Sequence, residues 1–215
     1  MRRNNLRWFK FLVSGYLRRN AMRLWTNPSA PLQLTPAKVK KLLKSTWERY
    51  FENVEQIPQQ FSVGNWLMMQ LAFLSLAAHR TLEQFGFDDR TSNQMIYQLS
   101  WHITSSWTKR AQRFSRFLFT NQKTQLRYFV GLIMKVLFNP PGYQFQTGDM
   151  ENGFFLDVRR CPVAELMKTH GKSELCVDTW CSVDFGLVKI FDGILHRTGT
   201  IAMGKEKCDF QFLEG

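Results

Sequence analysis

The chain has 215 residues and a mass of 25.4 kDa, enough for one sizeable domain or two small ones, and 44% of its residues are hydrophobic. That balance excludes disordered, collagen-like and low-complexity classes. The formal charge of +12 and the pI near 9.8 point to an anionic partner, whether nucleic acid, lipid headgroup or acidic protein.

The charge is unevenly placed. Residues 151–215 hold eight Lys/Arg against ten Asp/Glu, so the whole excess, +14, lies in residues 1–150. All four cysteines, Cys161, Cys176, Cys181 and Cys208, fall in the slightly acidic last third. The start, MRRNNLRWFKFLVSGYLRRNAMRLW, is basic with an apolar patch, but Lys10 interrupts the patch and no small-residue cleavage site follows, so it does not read as a signal peptide. Residues 2–25 place Arg3, Arg7, Lys10 and Arg18 near one helical face and Phe9, Leu12, Val13 and Tyr16 near another. Two readings follow: a first helix docked on the domain, or an in-plane basic helix at a lipid surface or protein partner.

Residues 26–34 are turn-rich, a connector after which Thr35 supplies an N-cap and Pro36 a favoured first helical position. A helix to about Val54 follows, with Val39, Leu42, Leu43, Trp47, Tyr50 and Val54 as its core face. A second, about Ser62 to Phe85, is apolar nearly all round. Its dense part, Trp66 to Ala78, is thirteen residues, too short for a bilayer that needs about 20, so a buried central helix is expected. A third, about Thr91 to Phe119, carries Met95, Leu99, Ile103, Trp107, Ala111, Phe114 and Leu118 as a continuous buried stripe, with Lys109, Arg110, Arg113 and Arg116 in its last turns. A fourth, about Thr124 to Phe138, is halted by Asn139-Pro140-Pro141.

The periodicity then changes to two. Tyr143 to Thr147 and Phe154 to Arg159 read as a hairpin, Pro162 to Thr169 as a short helix closed by Gly171, and Ser173 to Phe191 as a longer helix. Ile194 to Ala202 and Cys208 to Leu213 read as two final strands. The expected class is α+β: an N-terminal helical bundle packed with a small antiparallel sheet and two further helices. Segments 1–34, 35–139 and 140–215 form its parts, the last two reading as one domain.

With no export signal the cysteines are expected to be reduced and the location cytoplasmic, with the inner face of a membrane as the alternative. Their spacing, C-x14-C-x4-C-x26-C, matches no zinc-finger clip. A divalent metal assembled in space from Cys thiolates with His170, His196 or Asp184 stays open, although no cofactor is required. Cys161 precedes Pro162 at a helix N-terminus, which lowers a thiol pKa, whereas Cys176 reads as a core cysteine. Cys181 and Asp184 are three apart on one helix and share a face, as a nucleophile or acid/base pair would; a core Cys beside a solvated Asp is the plainer reading. Strand alternation puts Arg197, Gly199 and Ile201 on one side, Thr198, Thr200 and Ala202 on the other, and Cys208 with Phe210 opposite Asp209. Trp47, Tyr50, Trp66, Trp107 and Phe114 fall on apolar stripes and no nucleic-acid signature occurs, so nucleic acid is not the expected partner.

The run FFLDVRRCPVAELMKTHGKSELCVDTWCSVDFGLVKIF, followed by LHRTGTIAMGKEKCDFQF, resembles the L-2-amino-thiazoline-4-carboxylic acid hydrolase family. The marks are Cys161-Pro162, Gly171 to Cys176, Cys181 with Asp184, Arg197 to Thr200, and Gly204 with Cys208-Asp209-Phe210, covering roughly residues 138–213. The resemblance implies a hydrolase that opens a thiazoline ring at its C=N carbon to give an N-carbamoyl-cysteine product. The closing segment also looks like 4-vinyl reductase-type ligand-binding domains, which implies a pocket without a reaction. Matched to that chemistry, Cys181, Cys208 or Cys161 is the nucleophile or thiol acid and Asp184 the general base or orienter. Arg197 is the carboxylate anchor, and Thr200, Asp209 and His196 are further substrate contacts. The partner is then a small molecule, with a homo-oligomer compatible. A non-catalytic binder and an accessory protein docking through exposed Trp8, Phe9 and Phe11 are the competing classes.

Overall fold

The computed structural model describes residues 3–28, 32–58 and 62–214, so residues 29–31 of the expected connector, and the side chain of Arg3, lie outside the described set. Four helices begin where a short polar side chain can take a free amide. Thr35 caps α2 (Pro36–Asn53) by accepting from Lys38 N, and Ser62 caps α3 (Val63–Gln84) by accepting from Asn65 N. Asp88 caps α4 (Asp89–Leu118) through Thr91 N at 2.7 Å, and Asn121 caps α5 (Gln122–Val136) through Thr124 N at 3.0 Å. The first helix, α1, runs from Arg3 to Trp25 despite Gly15 and Asn20, whose amide donates to Tyr16 O.

The hairpin of β1 (Gln144–Met150) and β2 (Gly153–Arg160) leads into α6 (Pro162–Thr169). The expected long helix after it is broken in character. One α turn, α7 (Ser173–Leu175), opens into a π-helical segment, Cys176–Cys181, and returns to α geometry in α8 (Val183–Ile190). Strands β3 (Gly193–His196) and β4 (Cys208–Glu214) complete an antiparallel sheet of order β1-β2-β4-β3. The α+β architecture is as expected, with one strand shorter than alternation implied. Residues 197–200 leave the sheet as a loop and Ile201–Met203 form a 3-10 turn, because the Asp209 carboxylate draws the Thr198 and Gly199 amides out of the ladder.

Helix α3 is central: Met69, Ala72, Leu76 and Ala77 are all buried, and Gln70 accepts a hydrogen bond from the buried Tyr50 hydroxyl. Around it lie α1, α2, α4, α6 and α7. A second core joins α5, α8 and the inner sheet face formed by Phe154, Leu156, Val158, Cys208 and Phe212, and Phe138, Cys161 and Ile201 pack against both. Two sequence expectations fail here. Phe9 is not on an exposed patch; it is buried against Trp47, Tyr50 and Trp66, while Trp8, Phe11 and Leu12 are exposed. The α4 stripe is buried at Met95 and Leu99 but exposed at Trp107, Phe114 and Leu118, since α4 outruns the elements that cover its first half. Trp107 and Phe114 are therefore surface residues.

Candidate functional site

The two cores leave a cavity of about 170 Å³ between α5, the inner sheet face and the helical segment 173–190. All four cysteines line it, together with Asp184, Tyr143 and Trp180. The rest of the lining is aliphatic or aromatic, notably Phe129 and Ile133 of α5 and Leu187 of α8. Asp184 is the sole charged side chain lining the cavity among the described residues.

The π segment explains how these groups meet. An α-helix aligns residues three or four apart, whereas a π turn closes i to i+5, the separation of Cys176 and Cys181. The Cys176 thiol and the buried Thr200 hydroxyl both favour the thiolate form of Cys181. Cys176 first, then the Arg197 charge and Thr200, hold the Cys181 thiol below its ordinary value against burial and the Asp184 charge. Cys176 is held above its own by its hydrogen bond with Cys181 and by burial. Burial pushes Cys161 up to about 12 and Cys208 up to about 11, although Ile201 N donates to the Cys208 sulfur at 3.3 Å. The expectation that a helix N-terminus would activate Cys161 is thus overturned: the Ala164 and Val163 amides favour its thiolate, but desolvation outweighs them.

Asp184 lies in the first turn of α8 and its carboxyl is pushed up to about 7 by burial, against the pull of Arg197. A third of its side chain is open (33%), and it lines the cavity. Arg197 is largely committed elsewhere. Its guanidinium donates to Asp184 Oδ2 at 3.0 Å and to Cys181 O at 3.2 Å, and it lies between the Phe185 and Phe210 rings. It does not line the cavity and stands behind Asp184 as its partner.

Asp209 also lies away from the cavity. On the outer sheet face it accepts from Thr198 N, Thr198 Oγ1 and Gly199 N, fixing the loop that carries Arg197 and Thr200. His196 is exposed on β3 opposite Gln211, and His170 meets Arg80 and Phe73; neither reaches the cavity. Cys176, Tyr143 and Trp180 were not singled out by spacing as site residues. Tyr143 Oη and Trp180 Nε1 are buried without a hydrogen-bonding partner, although other atoms of both residues line the cavity.

Among the described residues one group has metal-ligand proximity, and none of its members lines the cavity. His79, Glu83 and Asp89 have ligand atoms within 4.8 Å of one another, but the Lys172 ammonium sits among them, 2.6 Å from Glu83 and 3.3 Å from Asp89. The cavity thiols and Asp184 do not converge in that way. No described helix is long and apolar enough to cross a membrane.

A family model described as L-2-amino-thiazoline-4-carboxylic acid hydrolase matches residues 68–212, from within α3 to β4. The match reaches well upstream of the Cys-bearing part, and the likeness to 4-vinyl reductase-type domains finds no comparable support. No curated protein and no solved structure matches significantly.

Proposed function

The chain belongs to the L-2-amino-thiazoline-4-carboxylic acid hydrolase family, and from that premise we propose that it hydrolyses a small cyclic amidine of the thiazoline type. Cys181 is the nucleophile and Asp184 the proton carrier. The observation that carries this reading is a thiol and a carboxyl on one apolar cavity whose proton affinities are shifted towards each other: Cys181 down, Asp184 up to about 7.

The Cys181 thiolate adds to the electron-poor ring carbon of the protonated thiazoline. The bond from that carbon to the ring sulfur then breaks, and Asp184 gives its proton to the departing sulfur. The carboxylate left behind takes a proton from the water that attacks the same carbon. Cys181 then departs as thiolate while the hydroxyl now on that carbon loses its proton to solvent and becomes a new carbonyl, and the former ring sulfur stays on the product as a free thiol. Arg197 keeps Asp184 oriented instead of anchoring a substrate carboxylate. The apolar walls favour a second reading, non-catalytic binding of an apolar ligand.

One assay separates the two. Purified protein given L-2-amino-thiazoline-4-carboxylate is expected to release free thiol. Cys181→Ala and Asp184→Asn should each lower the rate by about 10²-fold or more with little change in thermal midpoint. Substrate binding by calorimetry without thiol release selects the binder, and full activity in both variants removes the assigned roles.

A further inference from the structure

Between Asp89 and Asp149 the chain has no acidic residue but eight Lys or Arg, and the structure turns most of this stretch into α4 and α5. The exposed half of α4 carries Trp107, Phe114, Phe117 and Leu118 at positions i, i+7, i+10 and i+11, one continuous helical face. Phe117 is 88% exposed and Trp107 58%. On α5 the exposed Tyr128, Leu132 and Val136 repeat every four residues, and the Phe119 ring rests on Tyr128 at 5.1 Å, joining the two faces. Lys109, Arg110, Arg113 and Arg116 are exposed along the flank of the α4 face, with Arg110 stacked on Trp107. None of these four has a carboxylate partner among the described residues, whereas Arg127 is paired with Asp149.

We infer that the α4–α5 corner is a docking surface for an anionic lipid bilayer. Isolated exposed apolar residues need no explanation, but a joined aromatic and aliphatic face bordered by unneutralised arginines does. The arginines match the negative surface of the leaflet, and Trp107 and Tyr128 suit the headgroup level while Phe117, Leu118 and Leu132 enter the acyl boundary. The aliphatic members argue against nucleic acid, because Leu118, Leu132 and Val136 provide no stacking surface for bases. Helix α5 would then have two working faces, since Phe129 and Ile133 on its other side wall the cavity. Docking lays that wall against the membrane whether or not the cavity is catalytic.

The test is co-sedimentation of the full chain with phosphatidylcholine vesicles, with and without phosphatidylglycerol. Binding is expected only with phosphatidylglycerol, weakening as salt is raised. Arg113→Gln with Arg116→Gln, and separately Phe117→Ser with Leu132→Ser, should each reduce partitioning about tenfold or more. Trp8→Ser with Phe11→Ser on α1 should leave it near wild type. All six positions are exposed or half-exposed, and an unchanged thermal midpoint shows that folding is intact. Equal binding to both vesicle types, undiminished binding by both α4–α5 variants, loss confined to the α1 variant, or preferential binding of single-stranded RNA overturns the inference.

Discussion

Cys181 and Asp184 owe their properties to neighbours that spacing does not reveal. The Cys181 thiolate is stabilised mainly by the Cys176 S–H, so removing that donor should be felt at Cys181 before anywhere else. In wild type, Cys181 is expected to be alkylated faster near neutral pH than Cys161 or Cys208, both raised by burial, as read by peptide mass spectrometry. Cys176→Ala should slow Cys181 several-fold, and an unchanged rate would show that its thiolate is held by something else. Asp184 supplies a pH signature. Its carboxyl stays protonated in the folded chain up to about 7, whereas the unfolded chain ionises it in the ordinary carboxylate range, near 3.8. The stability from its protonated folded form is therefore complete below that range and lost as pH rises towards 7. Thermal midpoints of wild type minus Asp184→Asn should fall over that window and level off above it. The comparison cancels groups common to both chains, and a flat difference would place Asp184 at an ordinary pKa.

The helices were legible because their information is local: caps at Thr35, Ser62, Asp88 and Asn121 and an apolar period of 3.6. The π segment was not, since residues 173–191 have an unremarkable helical composition and the i to i+5 closure depends on packing against α4 and the 3-10 turn. Likewise Thr198 and Thr200 look like strand residues until Asp209, eleven places beyond Thr198, captures the loop. Of the candidate site, Cys181 with Asp184 is legible as a pair on one helical face and Cys161 and Cys208 as residue types, and the structure places these four on one cavity together with Cys176, which reads from sequence as a core cysteine. Tyr143 and Trp180 were invisible because their significance is an unpartnered polar atom. The cavity itself depends on how closely α5 crosses α3. A Cβ at Gly64 would meet the Val136 carbonyl and the Leu137 backbone, groups that cannot rotate away. Gly64→Ala should therefore displace the end of α5 and cost about 1–3 kcal/mol or more in denaturant unfolding. Gly15→Ala, with open space around its Cβ, should be neutral or slightly stabilising. Equal effects at the two positions would mean that α5 is free to shift.

At the scale of the whole molecule, the family match begins at residue 68, yet the chain before it is built into the same interior. Phe9 of α1 stacks on Tyr50 of α2 and meets Trp66 of α3 edge-on, and Ala21 and Trp25 extend the contact along α1. The basic helix is thereby integral to the fold, while its outer face remains open. The two hydrophobic cores are coupled in turn through Phe138, Cys161 and Ile201, which pack against both. Damage to α1 should consequently reach the cavity. Phe9→Ala removes a fully enclosed ring from an aromatic cluster and is expected to cost about 3–5 kcal/mol, a fall in midpoint of roughly 10 °C for a chain of this size. The loss should appear as one shifted transition, with near-ultraviolet signals from the tryptophans and the protection of Cys176 from alkylation lost at the same temperature. Two separated transitions, with Cys176 still protected after the aromatic signal has collapsed, would instead make the α1–α3 aromatic cluster an independent unit and confine the cavity's stability to the matched region.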